Sequence, residues 1–130
     1  MTTKIRVSSR ALGPRLFVTV LVYEDVDSMR RAATAYNGAD HHQTLGVTQV
    51  ISDRSGRARS VLIRLVRGHL GTQIVTHEMH HASTALYGAE VGDRISRAAH
   101  LNHYNEPFAH LHSDLTHHLV DCLYRRGFYA

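Results

Sequence analysis

The sequence predicts a single α+β domain over residues 1–130, in which a three- to four-stranded mixed sheet packs on two C-terminal helices. Runs of β-branched and aromatic residues occupy the first half, helical periodicity takes over in the second, and the segments follow in the order strand, helix, hairpin, helix, helix. A length of 130 residues suits one domain, and 43% hydrophobic residues can form a modest core. Only 20% of residues are charged and apolar segments are spread along the chain, which argues against disorder.

Met1 to Arg10 is a polar start that lacks the apolar centre of a signal peptide. Arg15 to Glu24 (RLFVTVLVYE) is too short for a buried helix and rich in strand-forming residues, so it reads as a strand inside the sheet. Asp25 to Asn37 opens with acidic residues, spaces Val26, Met29, Ala33 and Tyr36 at helical intervals, and is followed by Gly38, the pattern of an amphipathic helix. Leu45 to Ser52 and Ala58 to Val66 read as two strands joined by the turn Asp53-Arg54-Ser55-Gly56. From Thr72 to Tyr87 the period is helical, with Val75, Met79, Ala82 and Leu86 in one apolar stripe and Gly88 as a stop. A short helix is expected around Arg94 to Ala99. Asn105 then caps a last helix that carries Pro107 in its first turn and aligns Phe108, Leu111, Leu115, Leu119 and Cys122, reaching about Tyr124.

Cys122 is the only cysteine, which excludes an intramolecular disulfide and a multi-cysteine zinc site and fits a reducing compartment. No apolar run approaches the roughly 18 residues of a membrane span, so the expectation is a soluble, cytoplasmic chain without a membrane partner. The basic balance, with a pI near 9.6, comes from fourteen arginines beside Lys4 alone. Arg54, Arg57, Arg59, Arg64 and Arg67 lie close in sequence and could meet phosphates. Without interleaved aromatics or a nucleic-acid-binding motif, they read rather as the solvated surface of a hairpin.

His77-Glu78-Met79-His80-His81 reads H-E-x-x-H. Residues four apart stand one above the other on a helix, so His77 and His81 can aim their imidazoles at one tetrahedral metal ion. They point nearly opposite to the Val75/Met79/Ala82/Leu86 stripe, so one face holds the helix and the other meets a cleft. Glu78 is placed to take a proton from water activated by the metal, which makes metal-assisted hydrolysis the chemistry this pattern suits. At this chain's composition a chance match is expected only about 0.03 times. Zinc needs a third protein ligand. Glu106 is the first choice because it starts the next long helix after a distance that allows an antiparallel return; His103 and His100 are the alternatives. His80, about 60° around the helix from His77, reads as a flanking residue.

THEMHHA followed by NEPFAHLHSDL resembles the gluzincin branch of the zincin metallopeptidases, in which the H-E-x-x-H helix is followed by a glutamate on a second helix. The start of that helix, Glu106 to Ala109, is similar to small zincin-like proteins of phages and to metallopeptidases that act on phage repressors. The resemblance covers about Gly71 to Cys122, and its first motif is the more specific. It implies a small zincin-like fold, a zinc ion held by His77, His81 and Glu106, and Glu78 as general base and later proton donor. It also implies a host-cytoplasmic location if the chain is phage-encoded. HEMHHA resembles the SprT-like proteases as well, whose third ligand is a histidine, which keeps His103 in view. Where larger gluzincins place an aspartate four residues after the glutamate, this chain has His110, which becomes the candidate support behind the ligands.

The leading reading is a zinc-dependent peptidase acting on a protein or peptide substrate. His103 or Tyr104 could donate to the developing oxyanion, and Ala58 to Val66, as the sheet edge beside the cleft, could hold an extended peptide. A second reading is a zinc-stabilised, non-catalytic zincin-like binding protein, such as a phage factor that sequesters a host protein. Glu78 favours catalysis, since a structural site needs no general base; the short chain favours binding. The third reading is an arginine-rich nucleic-acid-binding module.

Overall fold

The computed structural model describes residues 1–92 and 105–129. Its elements are β1 (Thr2–Ser9), β2 (Leu16–Tyr23), α1 (Val26–Asn37), β3 (Gly46–Ser52), β4 (Ala58–Val66), α2 (Thr72–Val91) and α3 (Glu106–Arg125). The expected short helix around Arg94 to Ala99 lies outside the described residues. Among those residues no helix is long and apolar enough to cross a membrane.

β2 sits inside the sheet, as its composition demands. Val18, Val20 and Val22 are buried on one face and Tyr23 on the other. The order is β1-β2-β4-β3, with β2 and β4 parallel and the other two pairs antiparallel, so the sheet is four-stranded and mixed. The polar start is therefore a strand. β1 is short in apolar residues, but Ile5 and Val7 alternate with exposed Lys4 and Arg6, which is the period of two that a half-buried strand requires.

One sheet face, carrying Ile5, Val18, Val20, Ile63 and Leu65, packs on α2 and α3 to form the main core. α3 supplies Leu111, Leu115, Leu119 and Leu123, all fully buried, and α2 supplies Val75, Met79 and Ala82. α1 covers one end of the opposite face, where Met29 and Ala33 meet Tyr23, Val47 and Val66. Asp25 caps α1 by accepting from the Ser28 backbone N–H, and Gly38 ends it in the left-handed conformation at φ 73°.

Two boundaries depart from the sequence reading. α2 passes through Gly88 and ends at Val91, because the positive φ that stops a helix belongs to Gly92, not Gly88. β4 is an interior strand flanked by β2 and β3, so Ala58 to Val66 cannot be the edge beside a cleft. Hairpin pairing with β3 covers one side of it and parallel pairing with β2 the other; β3 and β1 are the edges.

Candidate metal centre

The register of α2 separates two tasks. Val75, Met79, Ala82 and Leu86 are buried against the sheet, and His77 and His81 are exposed on the other side. The two imidazoles meet Nε2 to Nε2 at 3.2 Å with ring planes at 82°. Nitrogens bound to one tetrahedral zinc at about 2.0–2.1 Å are separated by about 3.3 Å. That spacing is the one two ligands of a single ion would have, and here the two nitrogens lie at hydrogen-bond distance of each other.

Glu78 turns from this solvent-facing pair toward the sheet and is 8% exposed. Its Oε1 accepts a hydrogen bond from Thr48 Oγ1 at 2.8 Å, and the same hydroxyl lies 3.0 Å from the Glu78 carbonyl oxygen. Thr48 stands on β3, an edge strand of the sheet. Two residues earlier on the same face, Gly46 lets β3 come close to α2. A Cβ there would lie 3.0 Å from Ile74 Cγ2 and 3.1 Å from Glu78 Cγ, so those side chains would have to yield by a few tenths of an ångström. A groove of about 280 Å³ runs between Leu45–Gly46 and the α2 residues Ile74, His77 and Glu78. A general-base candidate, a ligand candidate and a sheet edge thus share one opening.

Glu106 opens α3, capped by Asn105, whose side chain accepts from the Phe108 backbone N–H. Its exposed carboxylate lies 3.6 Å from Nε2 of the equally exposed His110. Among the described residues no three His, Cys, Asp or Glu side chains are grouped to hold an ion, so Glu106 is not gathered onto the His77–His81 pair. His110 stands with Glu106 rather than behind the histidines. His100, His103 and Tyr104 lie outside the described residues.

His80 faces α3, its ring edge-on to Phe108 at 5.7 Å and to His112 at 5.9 Å. His112 escaped the sequence reading because it falls between two leucines of the α3 stripe. Burial holds its pKa below the ordinary imidazole value; the Thr76 backbone opposes this and nearby His80 reinforces it. Thr48 and Gly46 were equally invisible, since neither belongs to a motif until β3 is set beside α2.

The five-arginine cluster does not form one surface. Arg64 is buried, donating from Nε to Gln49 Oε1 at 2.7 Å and from Nη1 to Tyr23 Oη at 2.5 Å. Arg67, at the far end of β4, pairs with Glu24 at 2.6 Å and lies over the Phe128 ring. The strand alternation sends neighbouring arginines to opposite faces, which proximity in sequence conceals.

No family model, curated protein or solved structure matches this chain.

Proposed function

We propose that the chain is a zinc-dependent peptidase whose centre lies where α2 passes the β3 edge. The observation that carries this reading is the 3.2 Å approach of the His77 and His81 Nε2 atoms on α2, with His77 and Glu78 lining one groove.

His77 and His81 would hold the ion, with the third donor drawn from Glu106, His103 or His100. Bound there, zinc supplies Lewis acidity toward water and toward a carbonyl oxygen. Glu78 takes the proton from the attacking water and returns it to the departing amine. Thr48 fixes Oε1, which leaves Oε2, on the Gly46 side, as the oxygen that carries the proton. Burial beneath β3 keeps bulk water from competing for this carboxylate. An extended substrate would pair with the β3 edge, the role the sequence had pointed to in Ala58–Val66.

The test is cleavage of a proteome-derived peptide mixture by zinc-loaded protein, read by mass spectrometry of the new termini. Wild type should cut, and Glu78→Gln should lose about 10²- to 10⁴-fold in rate with its circular dichroism unchanged. Equal cleavage by the variant would contradict the assignment of the base. No cleavage by zinc-loaded wild type would favour the non-catalytic binding reading.

A further inference from the structure

A second site is built where the sheet splays. The register between β2 and β4 begins at Thr19 and Leu62, so the first residues of both strands have no partner across that boundary. The opening is a cleft of about 390 Å³. Lys4 and Arg6 from β1, Arg15 from the turn before β2, and Arg59 from the start of β4 all line it, and all four are exposed. Glu90 is the one carboxylate in the lining among the described residues. Among the described residues none of the four cations is in an ion pair. Arg15 donates to Ser8 Oγ at 2.9 Å, and the Arg6 guanidinium lies 3.9 Å from the Phe17 ring centroid.

Among the described residues the cleft carries four cations against one carboxylate. Lys4 and Arg6 stand two apart on one strand, hence on the same face about 6.8 Å apart along it. Arg15 and Arg59 extend the charge across the splay. Phe17, 40% exposed, sets an aromatic ring under the Arg6 guanidinium, and Ser60 adds an exposed hydroxyl. α1 leaves this end of the face uncovered, since its buried contacts lie at Tyr23, Val47 and Val66. A single phosphate would use one or two of these cations. A chain of phosphates carrying bases uses the cations and the ring together.

We propose that this cleft binds single-stranded nucleic acid, its backbone on Lys4, Arg6, Arg15 and Arg59, with a base taking the place of the Arg6 guanidinium on the Phe17 ring and so freeing Arg6 for a phosphate. The site shares no residue with the zinc reading and does not depend on it. It also differs from the arginine-rich hairpin: of those five arginines only Arg59 takes part.

The test is fluorescence anisotropy of the full chain with labelled oligothymidylate of about 16 nucleotides, across a salt series. Three to four phosphate contacts should give a log–log salt slope of about −2 to −3. Arg6→Ser/Arg59→Ser should weaken binding at least about tenfold near 0.1 M salt and reduce the slope by about 1.4. Arg31→Ser/Arg126→Ser, which removes the same charge from α1 and the end of α3, should change affinity less than about threefold with the slope retained. Phe17→Ala should weaken binding about five- to a hundredfold, and Arg6→Lys/Arg59→Lys should restore most of the affinity. Thermal unfolding of each variant confirms that it is folded. Absence of binding at low salt, equal losses in the two double variants, or duplex binding as tight as single-strand binding would each overturn the proposal.

Discussion

The two edges of the sheet meet their helices differently. β1 is tied to α3: the Ser8 backbone N–H donates to His118 Nδ1 at 3.2 Å, and Ser9 Oγ donates to Asp114 Oδ2 at 2.8 Å. β3 faces a groove, and its nearest polar partner across that groove is Glu78. An unprotected edge is an aggregation liability unless something uses it. Both edges bond helices, β1 to α3 through Ser8 and Ser9, and β3 to α2 through Thr48 and to α1 through Gln49, but the α2 carboxylate that Thr48 meets also lines a groove with His77. On the proposed function, the β1 edge serves stability and the β3 edge receives substrate.

Substitutions can break that contrast. The largest expected effect is on the β1 side: Leu115→Ala removes a fully buried α3 side chain from the core. It should lower unfolding free energy by about 2–5 kcal/mol in urea titrations, with zinc affinity of the folded protein unchanged. On the β3 side, Gly46→Val crowds Ile74 and Glu78. About 1–3 kcal/mol of stability should be lost, together with most peptidase activity, because the Glu78 side chain is among those that must yield. Ser9→Ala should cost only about 1 kcal/mol and leave activity alone, since its hydroxyl serves β1 and α3. If Gly46→Val and Ser9→Ala affected activity alike, the distinction between the edges would fail.

The smallest effects are those of pH. His112 has its pKa lowered by burial, so the unfolded chain binds its proton more readily than the folded one. Its contribution is fully present above the ordinary value of 6.5 and is lost as the pH falls below it toward the folded value. His112→Gln should flatten the stability profile in that interval. A separate loss belongs to Asp25 and Asp53. Hydrogen bonds from Ser28 and Ser55 depress their pKa values below 3.8, so their contribution fades only as the pH falls further, through those lowered values. Urea midpoints measured across the acid range in wild type and His112→Gln check both windows.

Much of the architecture was legible because periodicity and turn chemistry are local. Val26 to Asn37, the Asp53–Gly56 turn and the leucines of α3 each announced themselves within a few residues of sequence. β1 did not, since two apolar residues alternating with cations make a weak signal until a partner strand is known. The H-E-x-x-H register was readable for the same local reason: helical geometry alone brings His77 and His81 together. Thr48, Gly46 and the cleft lined by Lys4, Arg6, Arg15 and Arg59 were not readable. Each depends on which strands become neighbours, and no spacing along the chain records that. The same ignorance made β4 look like an edge and made Arg64 look like part of a surface.

The central claim, that α2 presents a zinc centre beside the β3 edge, is tested most directly by zinc titration of metal-free protein followed calorimetrically. Wild type and Glu78→Gln should each bind about one zinc per chain, and His77→Ala/His81→Ala should bind none at that site. Glu106→Ala and His103→Ala, measured alongside, identify the third donor by whichever weakens binding. Wild-type protein that takes up no zinc, or a double histidine variant that takes up as much as wild type, would contradict the account.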